Sequence, residues 1–90
     1  MKTAFVTGGS RGIGSAIALA LGKTFHVIVG FANSEDKAND VVKEIVASGG
    51  SASAVQIDIS DAESVDNAFT TIEKEYNSVD VLINNAGVTK

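Results

Sequence analysis

The sequence predicts an α/β fold built on a parallel sheet, because strand patterns and helix patterns alternate along its 90 residues. Four short apolar runs rich in β-branched residues have the length of buried strands, and three segments between them repeat apolar residues with helical period. Strands that alternate with helices are joined by right-handed crossovers, which makes neighbouring strands parallel. The predicted order of elements is therefore βαβαβαβ.

The strands are predicted at residues 3–7, 26–30, 54–57 and 80–84. Between the first two strands, apolar residues spaced for one helix face are Ile13, Ala16, Ile17, Ala20 and Leu21. The second helix has its apolar stripe within 38–46, and the third within 65–76.

Residues at the predicted helix ends support these assignments. Gly22 is expected to end the first helix, and Gly49–Gly50 the second. Ser34 is a good N-cap for the second helix, and Ser60 with Glu63 has the spacing of a capping box for the third. Two sheet orders fit this pattern, because periodicity alone does not separate the doubly wound dinucleotide order 3-2-1-4 from the flavodoxin-like order 2-1-3-4.

Composition narrows the possible functions. The formal net charge is −4 and the pI is 4.7, which argues against a general nucleic-acid binder. There is no Cys and only one His, so disulfides, a cysteine nucleophile and a metal cluster are not expected. The longest uncharged stretch, residues 45–57, is too short to span a membrane. We expect a single domain, residues 1–90, in the cytoplasm.

A glycine-rich turn connects the first predicted strand to the first helix. Gly8, Gly12 and Gly14 have the spacing Gly-x-x-x-Gly-x-Gly, and no Gly-Lys-Ser/Thr of a Walker loop follows. A diphosphate is best held by backbone N–H groups at a helix N-terminus, where glycines let it approach. The turn could also simply connect strand to helix, but its position between the two favours phosphate binding.

Residues 7–14, Thr-Gly-Gly-Ser-Arg-Gly-Ile-Gly, resemble the cofactor-binding signature of the short-chain dehydrogenase/reductase family, and residues 84–87, Asn-Asn-Ala-Gly, resemble its second signature. The sequence between these motifs is most similar to that of the 3-oxoacyl-carrier-protein reductase group. The resemblance covers only the amino-terminal half of the chain of such family members. The resemblance implies half of a doubly wound (Rossmann) fold with four strands in order 3-2-1-4. It also implies a nicotinamide dinucleotide held by Gly8, Gly9, Ser10, Arg11, Gly12, Ile13 and Gly14.

Further cofactor contacts are implied beyond the glycine-rich turn. By resemblance, Asn85, Ala86 and Gly87 border the ribose and the path to nicotinamide, while Asp58 and Ile59 lie beside the adenine. Asn in turns commonly ties down neighbouring backbone, and this structural role suits Asn84 better than Asn85. Asp58 has an equally good interpretation as a residue that only ends the third strand.

The choice between NADP and NAD depends on the end of the second strand. NAD sites place an Asp or Glu there to bind the ribose 2′-hydroxyl. Here residues 30–33, Gly-Phe-Ala-Asn, supply no acid, so a 2′-phosphate is tolerated. Arg11 is a candidate for binding it, through a charge-assisted hydrogen bond worth roughly 1.5–3 kcal/mol, although Arg is also common as a solvated surface charge. Asn33 adds a neutral donor. We therefore predict NADP rather than NAD.

No catalytic residue can be assigned. The resemblance implies a Ser and a Tyr-x-x-x-Lys pair for proton transfer, but the single tyrosine, Tyr76, is followed four residues later by Asp80. We therefore expect the cofactor-binding half of an NADP-dependent oxidoreductase without activity alone. Residues 81–83 would lie on an open sheet edge, which predicts self-association. The alternatives are a self-associating half-domain with no catalytic role and a flavodoxin-like protein that binds another phosphate ligand.

Overall fold

A computed structural model describes residues 2–8, 12–76 and 79–85 of the chain. Strands and helices alternate in these residues in the predicted order, and every predicted element is present. The elements are β1 (Thr3–Thr7), α1 (Gly12–Leu21), β2 (His26–Phe31), α2 (Glu35–Ala47), β3 (Ser51–Gln56), α3 (Ala62–Tyr76) and β4 (Val81–Asn84).

The sheet has four strands in the order β3-β2-β1-β4. All three strand pairs are parallel, and β1 pairs with both β2 and β4. This order confirms the doubly wound prediction and excludes the flavodoxin-like order. It also places β1 in the interior, where all five of its residues are buried.

The side chains of the sheet alternate between two apolar layers, as expected for a sheet covered on both faces. Val6, Val27 and Val29 pack beneath α1 and α2 in one layer. Phe5 and Ile28 belong to the opposite layer, which is covered by α3. The rings of Phe5 and Phe69 meet edge to face at 5.4 Å between centroids, so α3 is held by an aromatic contact as well as by aliphatic packing.

The predicted buried face of α1 is only partly correct. Ile17 and Leu21 are partly buried and pack against the core, but Ile13 is 72% exposed, and Ala16 and Ala20 are exposed too. The buried residues of this helix are Gly14 and Ala18. Small side chains let α1 lie close to the sheet, so a close backbone approach decides which of its residues are buried most deeply. The stripes predicted for α2 and α3 supply the buried residues Ala38, Val41, Ile45, Ala68 and Ile72.

The N-caps of α2 and α3 also differ from the prediction. Ser34 occupies the N-cap position of α2, but its side chain makes no capping hydrogen bond. At the start of α3, Asp61 accepts a hydrogen bond from the backbone N–H of Glu63 at 3.0 Å, so Asp61 is the cap and the predicted capping box of Ser60 is wrong. Ser60 is not available, because its hydroxyl donates to Asp58. The end of α2 agrees with the prediction, since Gly49 has φ +92°.

β3 and β4 form the two edges of the sheet. Of the two strands that pair with β1, β4 is the less covered, and its Leu82 is 51% exposed although its register partner Phe5 is fully buried. Within the described part of the chain, the three helices include none with the length and apolar character needed to cross a bilayer.

Candidate functional site

The candidate site lies at the carboxyl ends of the neighbouring strands β1 and β4. Thr7 ends β1 and Asn84 ends β4, and these two residues are register partners. The glycine-rich turn after β1 and Asn85 after β4 therefore meet at the carboxyl ends of these two strands. Ligands of doubly wound folds bind outside these ends, where the strand order reverses.

The hydroxyl of Thr7 joins the two strand ends. Its Oγ1 atom accepts a hydrogen bond from the backbone N–H of Asn85 at 3.0 Å. The same hydroxyl lies 3.2 Å from Asn84 Oδ1 and 3.3 Å from the carbonyl oxygen of Ile83, either of which can accept its proton. Thr7 is only 4% exposed, so these bonds are largely shielded from water. Thr7 was not predicted as a site residue. The available signal was an apolar strand whose last residue carries a hydroxyl group and directly precedes a glycine.

The side chains of the two asparagines make different structural contacts. Asn84 Oδ1 meets the hydroxyl of Thr7, which is a structural contact, but with a side chain and not with the neighbouring backbone that was expected. Asn85 donates from Nδ2 to the carbonyl oxygen of Gly8 at 3.3 Å. Its side-chain amide therefore fixes the start of the glycine-rich turn, a structural role that was expected for Asn84 more than for Asn85.

The glycines of the turn have separate structural reasons. Gly8 has φ +67° and Gly12 has φ +64°, a region that L side chains rarely adopt. Gly14 is buried in the first turn of α1, where a Cβ atom would lie 2.1 Å from the carbonyl oxygen of Gly8 and 2.7 Å from Asn85 Nδ2. The start of the glycine-rich turn and the first turn of α1 thus pack backbone against backbone, and the side-chain amide of Asn85 lies against both.

Several predicted site residues lie outside the described residues: Gly9, Ser10, Arg11, Ala86 and Gly87. Of the remaining turn residues, Gly12 and Ile13 are exposed at the start of α1. The first four N–H groups of an α-helix have no acceptor within the helix, so this helix start can offer donors to an anion.

The segment after β2 forms a shallow depression of about 240 Å³ lined by Asn33, Ser34, Glu35, Asp36 and Lys37. Asn33 is exposed, and no carboxylate stands between the end of β2 and the first turn of α2. The carbonyl of Ala32 accepts a hydrogen bond from Gln56 Nε2 at 3.1 Å, which ties this segment to the end of β3.

Asp58 lies just beyond β3 and is exposed. Its Oδ1 atom accepts hydrogen bonds from the Ser60 hydroxyl at 2.6 Å and from the Ser60 backbone N–H at 3.0 Å. These two bonds, the hydroxyl first, lower the pKa of Asp58 below its ordinary value. The backbone N–H of Asp58 donates to Ser64, and Ile59 beside it is 43% exposed. All the hydrogen bonds described for Asp58 are local, as expected for a residue that shapes the turn before α3.

The strand order, with the glycine-containing turn after β1 beside Asn85 after β4, defines a protein of the doubly wound α/β class. The sequence model of the short chain dehydrogenase family matches residues 2–90. The chain belongs to this family.

Similar proteins include two bacterial enzymes named 3-oxoacyl-(acyl-carrier-protein) reductase. The one from Synechocystis sp. is 48% identical over 99% of this chain and 36% of its own length. The one from Staphylococcus epidermidis is 46% identical over 99% of this chain and 37% of its own length. The chain therefore spans a little over a third of the curated relatives it matches.

Solved structures of dehydrogenase/reductase and short-chain oxidoreductase proteins are also similar to this chain. A dehydrogenase/reductase from Sinorhizobium meliloti 1021 superposes with a TM-score of 0.89 at 43% identity, over 94% of this chain and 34% of its own. A metagenomic short-chain oxidoreductase in complex with NADP superposes with a TM-score of 0.91 at 40% identity, over 97% of this chain and 39% of its own. The fold of this chain thus matches a little over a third of each of these two solved structures.

Proposed function

We propose that this chain binds NADP at the carboxyl edge of β1 and β4. The observation that carries the proposal is the contact of Gly14 with Gly8, which leaves no room for a Cβ atom, beneath the amide of Asn85. Such packing brings bare backbone N–H groups of the first turn of α1 to the position where a diphosphate needs donors. The NADP named in the complex of the metagenomic relative supports the same cofactor.

The end of β2 supports NADP over NAD. Phe31 closes the strand and is buried, and the following Ala32 and Asn33 carry no negative charge. The first carboxylates, Glu35 and Asp36, belong to the first turn of α2. In this proposal Arg11 and Asn33 hold the 2′-phosphate.

The remaining contacts complete the proposed cofactor site. Gly9, Ser10, Gly12 and Ile13 belong to the turn around the diphosphate. Asp58 and Ile59 lie at the carboxyl end of β3, next to β2 in the sheet, and are proposed to border the adenine. Ala86 and Gly87 follow Asn85 and are proposed to line the path to the nicotinamide.

The proposed reaction class is carbonyl reduction of the 3-oxoacyl type, by analogy with the named relatives. Hydride transfer would use a whole protein of their length, because the groups for proton transfer are not among these 90 residues. Tyr76 is not proposed for this role, because it ends α3 at the amino ends of the strands, away from the proposed cofactor site, where its hydroxyl lies 3.0 Å from Ser53 Oγ on β3. We propose that this chain alone binds the cofactor and does not turn over a substrate.

Titration by calorimetry with NADPH, NADH and FMN tests this function. NADPH should bind more tightly than NADH, and FMN should not bind. Arg11→Ala should weaken NADPH binding by roughly 10- to 150-fold, which corresponds to the loss of about 1.5–3 kcal/mol, and should weaken NADH binding less. Equal losses for the two nucleotides would overturn the NADP assignment, and tighter binding of FMN would overturn the proposed cofactor.

We also propose that the β4 edge pairs with the same edge of a second copy. The supporting observation is Leu82, which is half exposed on a strand with one free side in the described residues. A two-fold axis at such an edge joins two sheets into one. Light scattering over a range of concentrations should show a dimer, and Leu82→Lys should shift it to the monomer. A monomer at every concentration contradicts this proposal and leaves the cofactor proposal unaffected.

A further inference from the structure

A second polar cluster lies at the end of the sheet opposite the cofactor site. His26 begins β2, and its Nδ1 atom lies 2.5 Å from the hydroxyl of Ser51 on β3. Its Nε2 atom lies 3.2 Å from the hydroxyl of Ser53, which in turn lies 3.0 Å from the hydroxyl of Tyr76. The His26 and Tyr76 rings are stacked at 4.6 Å between centroids.

This His26 cluster, formed by His26, Ser51, Ser53 and Tyr76, joins three elements. Tyr76 is the last residue of α3, and the two serines lie on the edge strand β3. Both ring nitrogens of His26 are occupied by hydroxyl groups, which can donate or accept according to the tautomer. The cluster therefore satisfies both nitrogens of a neutral imidazole, and among the described residues it bonds the ring to no anionic group.

A positive charge on the protonated ring of His26 would have little electrostatic compensation from its neighbours. No carboxylate is bonded to His26 in the described residues, and its two polar partners on β3 are uncharged. On α3, Glu75 is the charged neighbour and favours the protonated ring. On β1 the register partner of His26 is the uncharged Thr3, whose N–H is bonded to the carboxylate of Asp80 beyond it.

Burial outweighs Glu75 and lowers the pKa of His26 below its ordinary value of 6.5. A group with a depressed pKa of this kind binds its proton more readily in the unfolded chain. The contribution of neutral His26 to the stability of the fold is therefore fully present above pH 6.5. It is lost as the pH falls through that value toward the pKa of His26 in the folded protein.

We propose that the His26 cluster is a pH-sensitive latch, which holds the carboxyl end of α3 against β2 and β3 while His26 is neutral and loosens when the ring takes up a proton. The latch is independent of the cofactor site, which lies at the other ends of the same strands. It acts on the connection from α3 to β4, because Tyr76 is the last helical residue before that connection.

Because the chain has a single histidine, its ring can be followed by NMR without ambiguity. The pKa of His26 should be below 6.5, and Glu75→Gln should lower the pKa further. Amide hydrogen exchange near Tyr76, corrected for the intrinsic pH dependence, should accelerate as His26 is protonated, whereas amides of α1 should not change. A pKa of His26 at or above 6.5 overturns the latch, and so does an amide exchange rate near Tyr76 that stays constant while His26 titrates.

Unfolding by urea between pH 5 and 8 supplies a second test. The unfolding equilibrium constant should rise as the pH falls below 6.5, by up to about tenfold per pH unit for one proton. His26→Gln should remove this part of the pH dependence. Tyr76→Phe keeps the ring stack and removes one hydroxyl, so it provides a milder variant should His26→Gln not fold. Parallel pH profiles for wild type and His26→Gln would contradict the proposal.

Discussion

The side-chain amide of Asn85 donates a hydrogen bond to the backbone carbonyl oxygen of Gly8, 3.3 Å away, although 77 positions separate the two residues in the chain. This bond joins the loop after β4 to the start of the glycine-rich turn. We expect Asn85→Ala to weaken NADPH binding and to destabilise the fold by about 1 kcal/mol, the usual contribution of one hydrogen bond. Asn39→Ala, at an exposed position of α2, is the matched control. Unchanged NADPH affinity in Asn85→Ala would show that the bond does not shape the site.

Gly14→Ala tests the close backbone contact. Helix propensity alone favours Ala by about 1 kcal/mol, but the new Cβ atom would lie 2.1 Å from the Gly8 carbonyl oxygen. We expect a net destabilisation of about 1–3 kcal/mol, as for other overpacked sites, together with the loss of NADPH binding. Gly49→Ala is the control, because it introduces strain at φ +92° without a neighbour within 4 Å. It should lower the melting temperature and leave NADPH affinity unchanged.

Asn33→Asp tests the 2′-phosphate assignment. A carboxylate in the exposed depression after β2 would repel a 2′-phosphate and could accept a hydrogen bond from a 2′-hydroxyl. We expect NADPH affinity to fall by about five- to tenfold, the effect of roughly 1 kcal/mol at an exposed site, with NADH affinity maintained or increased. Asn39→Asp adds the same charge on α2, at a position that does not line the depression, and should change neither affinity. An equal response of both nucleotides to Asn33→Asp would place the 2′-phosphate elsewhere.

Ile72→Ala tests the α3 layer of the core. Ile72 is fully buried, so its truncation removes apolar contacts and leaves a cavity. The expected loss is about 2–5 kcal/mol, a large part of the total stability of a small domain. Val46→Ala, at a position 53% exposed on α2, should cost less than about 0.5 kcal/mol. Chemical denaturation of both variants gives the comparison, and similar losses would contradict the described packing of α3.

Ser60→Ala tests the turn before α3. Since the Ser60 hydroxyl is the main cause of the lowered pKa of Asp58, its removal should raise that pKa toward 3.8. In the wild type this contribution to stability is present above pH 3.8 and is lost as the pH falls below it. Ser64→Ala is the control, because Ser64 contacts the backbone N–H of Asp58 and not its carboxylate. Carboxyl NMR titration measures both variants.

The sequence predicted the elements whose pattern is dictated by burial alone. β1 lies at the centre of the sheet and its run is apolar, and the stripes of α2 and α3 match the residues they bury. The start of β3 was missed, since Ser51 and Ser53 are polar and their place in the strand is explained by their contacts with His26. Local periodicity does not contain a partner 25 positions away.

The site was predicted through its motifs, but the contacts that assemble it were not. The spacing of the glycines indicated a tight turn, whereas the contact of Gly14 with Gly8 depends on how closely α1 lies on β1. The same closeness explains why Ile13 points outward, against the predicted stripe. The role of Thr7 depends on the register of β1 with β4, which no short pattern contains.

The interior position of β1 also bears on biosynthesis. As the chain leaves the ribosome, β2 emerges after β1, its partner, and β3 emerges after β2. Each new strand can therefore add to a sheet that has already begun to form, and only β4 must return across the whole chain to reach the other side of β1. Vectorial synthesis thus allows β1, β2 and β3 to pair before β4 has emerged, whereas the site between β1 and β4 can form only afterwards.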